Sequence, residues 1–285
     1  MMKYTIYGFL SYLIKMTLEE DLKTLLDEKL DKNNIDIKIA GSTMKSDLNN
    51  LLKHSSTPDL LIRDDYKGLF DNNFSRKFTL LGGKPWVIII NDNLCKDSDI
   101  PKTWKDLLDE KYKNSFCIQG NSNKFCGALL LNFHKNFGYE GIRSLARNTK
   151  IVTNINTMIR DIGNNNNNNL NSCPIILTSY PNAKMISKNK NQRIIWPEDG
   201  AFLTPIYTII KDINNPITSN VIDYLTKGSF QEFLSKNDFL SINSPLNSKR
   251  FNPLSEVYIN DLKTDYESHK ENLNKIFREE FNGNI

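Results

Sequence analysis

Strand-like runs alternate with helical patterns from the first residues of this chain, and that alternation constrains its fold more than any other feature. Lys3 to Leu10 is rich in β-branched and aromatic types and reads as a buried strand. Thr17, with Glu20 three residues later, forms a capping box for a helix whose apolar face carries Leu18, Leu22, Leu25, Leu26 and Leu30. Ile35 to Ala40 then reads as a strand, Lys45 to His54 as a helix and Pro58 to Ile62 as a short strand. Such a β-α-β-α-β order argues for a parallel sheet with crossover helices. The apolar segment "GGKPWVIIIN", Gly82 to Asn91, is suited to cross from one α/β unit to another. Beyond it the order resumes: a helix over Ile100 to Asn114, a strand over Ser115 to Gly120, then a loop and long helix over Asn121 to Gly138. A further helix is expected at Asn156 to Ile162, and strands at Pro174 to Ser179, Arg193 to Trp196 and Phe202 to Ile210. Asn220 to Phe233 and Leu262 to Phe281 read as helices. At 285 residues the chain is long enough for two lobes of ordinary size.

Composition removes several function classes. The net charge of +4 is spread without a concentrated Lys/Arg block, so no nucleic-acid partner is expected. Cys95, Cys117, Cys126 and Cys173 form no CxxC pair, and His54, His134 and His269 lie far apart, so neither a metal site nor a cofactor is expected. The opening "MMKYTIYGFLSYLIKM" is interrupted by Tyr7, Gly8, Ser11 and Tyr12 and leads to no small-x-small cleavage site, which reads as strand and loop rather than signal peptide. No uninterrupted apolar run approaches the roughly 18 residues of a membrane span. Asn164 to Asn169 is a low-complexity run that reads as a solvated loop.

One stretch resists the regular pattern. In "IWPEDGAFLTPIY", Ile195 to Tyr207, two adjacent carboxylates and a glycine interrupt an otherwise strand-like run. This segment, together with "PKTWKDLLDEKYKNSFCIQG" from Pro101 and "CPIILTSYPNAKM" from Cys173, resembles the solute-binding proteins of ABC transporters, in the branch that includes ferric-iron, thiamine and polyamine binders. The resemblance implies an α/β, two-lobed fold of the type II periplasmic-binding class with a ligand cleft between the lobes. It implies a discontinuous first lobe from 1–85 and 203–250, a second lobe from 86–202, and a C-terminal helical segment, 251–285, packing on either. In that reading "PEDGA" is a turn at the cleft rim and "FLTPIYTII" the strand that returns to the first lobe. Ferric binders of this kind end the strand matching Ile175 to Tyr180 in two consecutive tyrosines that ligate iron; this chain has Ser179-Tyr180.

The loops that follow strand carboxyl ends bind ligands in open α/β sheets. They supply the ligand-binding candidates Ser11, Tyr12, Ser42, Thr43, Asp64, Asn121, Ser122, Ser179, Tyr180, Glu198 and Asp199. Ser, Thr and Asn before a helix serve equally as N-caps, and exposed helix N-termini attract anions, so these loops leave the ligand's charge open. "GNSNKFCG" lacks P-loop spacing, and Cys126 has no histidine placed as its partner, so no catalytic residue is assigned. The expected function is non-catalytic binding of a small polar solute by a monomer, as the substrate-binding component of an ABC transporter working with its permease. The alternatives are an enzyme on the same fold, of the thiamine-handling type, or a cytosolic ligand sensor. As written the chain reads as cytoplasmic, and as extracytoplasmic if it is a processed form of a family member.

Overall fold

The computed structural model describes residues 5–8, 79–121, 124–163, 173–187, 191–209, 223–242, 244–253 and 266–281. The expected helices and strands between Thr17 and Ile62, and the asparagine run, lie outside the described residues. The chain divides into two compact units, one of Met1–Lys84, Thr204–Ser248 and Ser255–Val257, the other of Pro85–Leu203, Lys249–Leu254 and Tyr258–Ile285.

In the first unit, strand β1 (Thr5–Gly8) pairs antiparallel with the later part of β7 (Ala201–Ile209), Thr5 opposite Ile209 and Gly8 opposite Ile206. The start of β2 (Thr79–Asn91) is tied to the chain after helix α4 (Ser229–Lys236) by reciprocal backbone hydrogen bonds between Gly83 and Leu240, 3.0 and 2.8 Å. Gln231 of α4 is buried, and its amide donates to the carbonyls of Leu81 (2.8 Å) and Leu225 (2.7 Å) while its Oε1 accepts from the Ile242 N–H (3.2 Å). The continuous helix expected over Asn220 to Phe233 is instead broken. Helical residues at 223–227 stop at Gly228, whose N–H bonds back to Asp223 and Tyr224, and α4 begins afresh.

β2 crosses into the second unit between Lys84 and Pro85. There its Trp86 to Ile90 pair antiparallel with β5 (Ile175–Ser179), and Ile88 to Asn91 with β6 (Gln192–Ile195). β3 (Phe116–Gln119) lies between β4 (Thr149–Thr153) and β5, parallel to both, Ile118 aligned with Val152 and with Leu177. Val87 to Ile90 are all fully buried, which accounts for an unbroken apolar run where a one-sided strand would alternate. Alternate residues go to different layers. Ile88, Ile90 and Ile118 pack with helix α1 (Gly127–Asn148), whereas Val87, Ile89 and Cys117 pack with α2 (Ile155–Gly163) and α3 (Tyr180–Ile186).

α1 is two helical runs joined at Gly138, whose φ of 63° lies in the left-handed region that glycine enters without a Cβ penalty. Strand β8 (Phe251–Pro253) adds parallel to the start of β7, and the C-terminal helix α5 (Tyr266–Glu280) packs along α1 through fully buried Leu273 and Phe277.

The segment Ile100 to Asn114 is the main departure from the expected elements. It contains two short 3-10 turns, Asp106–Leu108 and Glu110–Tyr112, where a single helix was expected. Asp106 Oδ2 accepts the N–H groups of Lys102 and Thr103 (2.8 and 2.9 Å), and Asp109 Oδ1 accepts that of Lys111 (2.9 Å). Aspartates that bond nearby backbone donors favour turns and caps over a continuing helix.

Candidate functional site

Parallel pairing of β4, β3 and β5 in close register brings their carboxyl ends side by side, so the residues that follow them share one edge of the second unit. After β3 the Gly120 N–H bonds the Thr153 carbonyl (2.9 Å), and Asn121 turns the chain: its N–H donates to the Lys124 carbonyl (2.9 Å) and its Oδ1 accepts from the Lys124 N–H (2.8 Å). After β4, Asn154 caps α2 by accepting the Thr157 N–H (2.9 Å). After β5, Ser179 is buried opposite Trp86, while Tyr180, half-buried, opens α3. Cys126, partly buried against the core, is the N-cap residue of α1.

Tyr180 belongs to an aromatic group that sequence reading did not single out. Its ring meets Trp196 edge-on at 5.5 Å, and Trp196 meets Phe251 edge-on at 5.4 Å. The Trp196 indole N–H donates to the Arg250 carbonyl (2.8 Å). Lys184 sits over the Tyr180 ring and Lys249 over the Trp196 ring, each with its ammonium 5.8 Å from the ring centre, within cation–π range. The sequence signal was Trp196 itself, a large aromatic at a strand end beside the acidic turn. Nothing local announces that Phe251 would meet it.

The acidic turn has a structural explanation. Asp199 accepts the Trp104 backbone N–H on both carboxylate oxygens (3.1 and 3.0 Å), the Trp104 indole donates to the Gly200 carbonyl (2.9 Å), and the Glu198 N–H donates to the Lys102 carbonyl (2.8 Å). Trp104 is fully buried and stacks on Phe202, rings 4.1 Å apart and 5° from parallel. Thus "PKTW" and "PEDGAF" form one clasp, in which Asp199 caps the turn that begins at Trp104 from outside its own segment. Burial raises the Asp199 pKa and outweighs the backbone donors that act to lower it. For Asp106 burial acts in the same direction, but the N–H groups of Lys102 and Thr103, with the Thr103 hydroxyl and Lys111, prevail and hold its carboxyl below the ordinary value. Gly200 adopts φ 95°, and a Cβ there would lie 2.7–2.8 Å from the Phe251 carbonyl carbon and oxygen. The chain breaks its strand at this point because the turn must admit both Trp104 and the backbone of β8.

Of the sequence candidates, Asn121, Ser179, Tyr180, Glu198 and Asp199 lie in the second unit. Asn121 and the Ser179-Tyr180 pair share the strand-end edge, Glu198 is exposed, and the Asp199 carboxylate is engaged with backbone. Ser11, Tyr12, Ser42, Thr43, Asp64 and Ser122 lie outside the described residues. Among the described residues no group of three or more His, Cys, Asp or Glu is placed to hold a metal ion, and no helix is long and apolar enough to cross a membrane.

A family model described as bacterial extracellular solute-binding protein matches residues 45–270. Among solved structures, a ferric binding protein from Campylobacter jejuni is similar at 12% identity, with 96% of this chain and 98% of that chain covered and a TM-score of 0.60. The apo ferric ion-binding protein A of Pasteurella haemolytica is similar at 12% identity, with 96% and 97% covered and a TM-score of 0.62. The substrate binding protein of an ABC transporter from Agrobacterium tumefaciens is similar at 11% identity, with 97% and 96% covered and a TM-score of 0.60. At these identities the likeness is one of fold. No curated protein matches the chain in sequence.

Proposed function

The chain belongs to the bacterial extracellular solute-binding protein family and has its α/β, type II periplasmic-binding fold; from that premise we propose that it binds a small polar solute without chemical change and delivers it to the permease of an ABC transporter. The family match over residues 45–270 carries this reading. The transporter assignment is supported by the similar substrate binding protein from Agrobacterium tumefaciens. The protein acts as a monomer, with one lobe built from 1–85 and 203–250 and the other from 86–202. In the second unit the solute is contacted by the Asn121 loop, Tyr180 and the exposed Glu198. The Tyr180 hydroxyl and the Glu198 carboxylate are hydrogen-bonding groups of the kind that orient a polar ligand in a site otherwise closed by apolar packing.

A thermal-shift screen with metal ions, oxyanions, amines and vitamins tests the proposal, because a solute bound only by the folded state at 100 times its Kd stabilises by about 2.7 kcal/mol. Isothermal titration of the compound found, against wild type and Glu198→Ala, then tests the site. Removal of a charged hydrogen-bond partner costs about 1–3 kcal/mol, roughly 5- to 150-fold in affinity. A compound consumed during titration would overturn the non-catalytic reading, and a screen in which no class raises the melting temperature would overturn solute binding itself.

A further inference from the structure

Two of the chain's three histidines, far apart in sequence, meet where α5 packs on α1. The rings of His134 and His269 lie edge to face, centroids 4.6 Å apart and 68° between planes, and the Tyr139 ring lies 4.6 Å from His134. The same helix α5 secures the loop after β3. Asn274 Oδ1 accepts the Phe125 backbone N–H (3.0 Å), the Phe125 ring lies 4.2 Å from Phe277, and the Lys270 stem covers Gly127 at the start of α1. A change in how α5 is seated therefore reaches the Asn121 loop through Phe125, four residues along the chain. We propose that the His134–His269 pair makes the docking of α5 on α1 acid-sensitive, so that acid loosens the Asn121 loop; the consequence for solute affinity rests on the solute-binding reading above.

The physical basis is that an edge-to-face pair of neutral imidazoles is favourable, whereas two imidazolium rings at this separation repel. Burial, and then the charge of His269, push the His134 pKa down to about 4. An undocked histidine titrates near about 6.5. The undocked state therefore takes up the proton first. Docking is at full strength above about pH 6.5 and is lost progressively as pH falls towards 4.

Of the other charged groups on the two helices, Lys275 pairs with Glu279, and Glu271 and Arg278 are exposed. Lys135, next to His134, is turned to the Asn252 side chain and the Pro253 carbonyl. Lys270, next to His269, brings another positive charge. Glu280 of α5 is paired with Arg143 and Arg147 of α1, and Glu140 with Arg143.

Hydrogen exchange of the full chain without solute, at pH 7.5 and 5.0 and corrected for intrinsic rates, tests the proposal. Wild type should lose protection in α5 and in residues 124–133 as pH falls, by up to about tenfold per pH unit, the limit for one proton. The central strands β3 and β5 should keep theirs. His134→Phe should abolish the step and His269→Phe should shrink it, since burial still holds the His134 pKa down; His134→Gln replaces the first if it does not fold at pH 7.5. Unchanged protection in wild type, or an equal step in the variants, overturns the acid latch. A step in α5 without one at 124–133 overturns the coupling to the loop. Since no solute is present, a failed ligand screen leaves this test standing.

Discussion

Replacing Asp199 with alanine removes the carboxylate that accepts the Trp104 backbone N–H at 3.0 and 3.1 Å, and leaves that donor at the start of a turn whose tryptophan side chain is fully buried. A buried donor deprived of its partner costs about 1–3 kcal/mol, and loss of a capping side chain typically about 1 kcal/mol. These are two measures of one interaction, so they do not add. Solvent reaches the partly exposed carboxylate and reduces the effect, which places the expected loss at about 1.5 kcal/mol. Asp199→Asn should lose roughly half as much, because the amide oxygen still accepts and a neutral group escapes the burial that raises the Asp199 pKa. Glu198→Ala, the neighbouring exposed carboxylate, should change stability by no more than about 0.5 kcal/mol. Urea unfolding of the three variants with wild type decides the matter: midpoints should fall in the order Glu198→Ala, Asp199→Asn, Asp199→Ala at constant m-value. Equal midpoints for Asp199→Ala and Glu198→Ala would refute the clasp and return "PEDG" to an ordinary surface turn.

Gly200→Ala should destabilise by more than about 2 kcal/mol, since a Cβ at φ 95° is both strained and driven into the Phe251 backbone; a melting temperature within a degree of wild type would contradict the geometry. Gln231→Ala strips partners from the Leu81 and Leu225 carbonyls and the Ile242 N–H in a buried site and should cost about 3 kcal/mol or more in chemical denaturation, with a loss under about 1 kcal/mol showing that water replaces the amide. Ferric iron added with carbonate or citrate should give no tyrosinate charge-transfer band, because Ser179 precedes Tyr180 and is buried. A visible band that disappears in Tyr180→Phe would establish tyrosine ligation of iron.

Much of the fold was legible in the residues. The apolar run of Gly82 to Asn91 announced a strand, and the strands expected over Ser115 to Gly120 and Pro174 to Ser179 and the long helix expected after Asn121 became β3, β5 and α1, whereas the short strand β4 between α1 and α2 was not expected. The residues of the clasp were legible too: "PKTW" and "PEDGA" both carried the family resemblance. Their contact was not, because hydrophobic periodicity reports which face of an element is buried and says nothing about a partner 95 residues away. The same limit hid the Tyr180–Trp196–Phe251 group and the meeting of His134 with His269.

Ile100 to Asn114 shows the opposite failure, in which a local pattern was overruled. Its apolar spacing suits a helix, but the side chains of Asp106 and Asp109, and Asp199 from afar, satisfy the backbone donors in a different arrangement. Among the described residues, the sequence by itself determined the order and type of most elements, since burial pattern and capping act within a few residues along the chain. Only the tertiary structure decided which turn caps which, that α5 seats on α1, and that one carboxylate of the acidic pair holds a tryptophan while the other faces solvent, because those contacts exist only once distant segments are brought together.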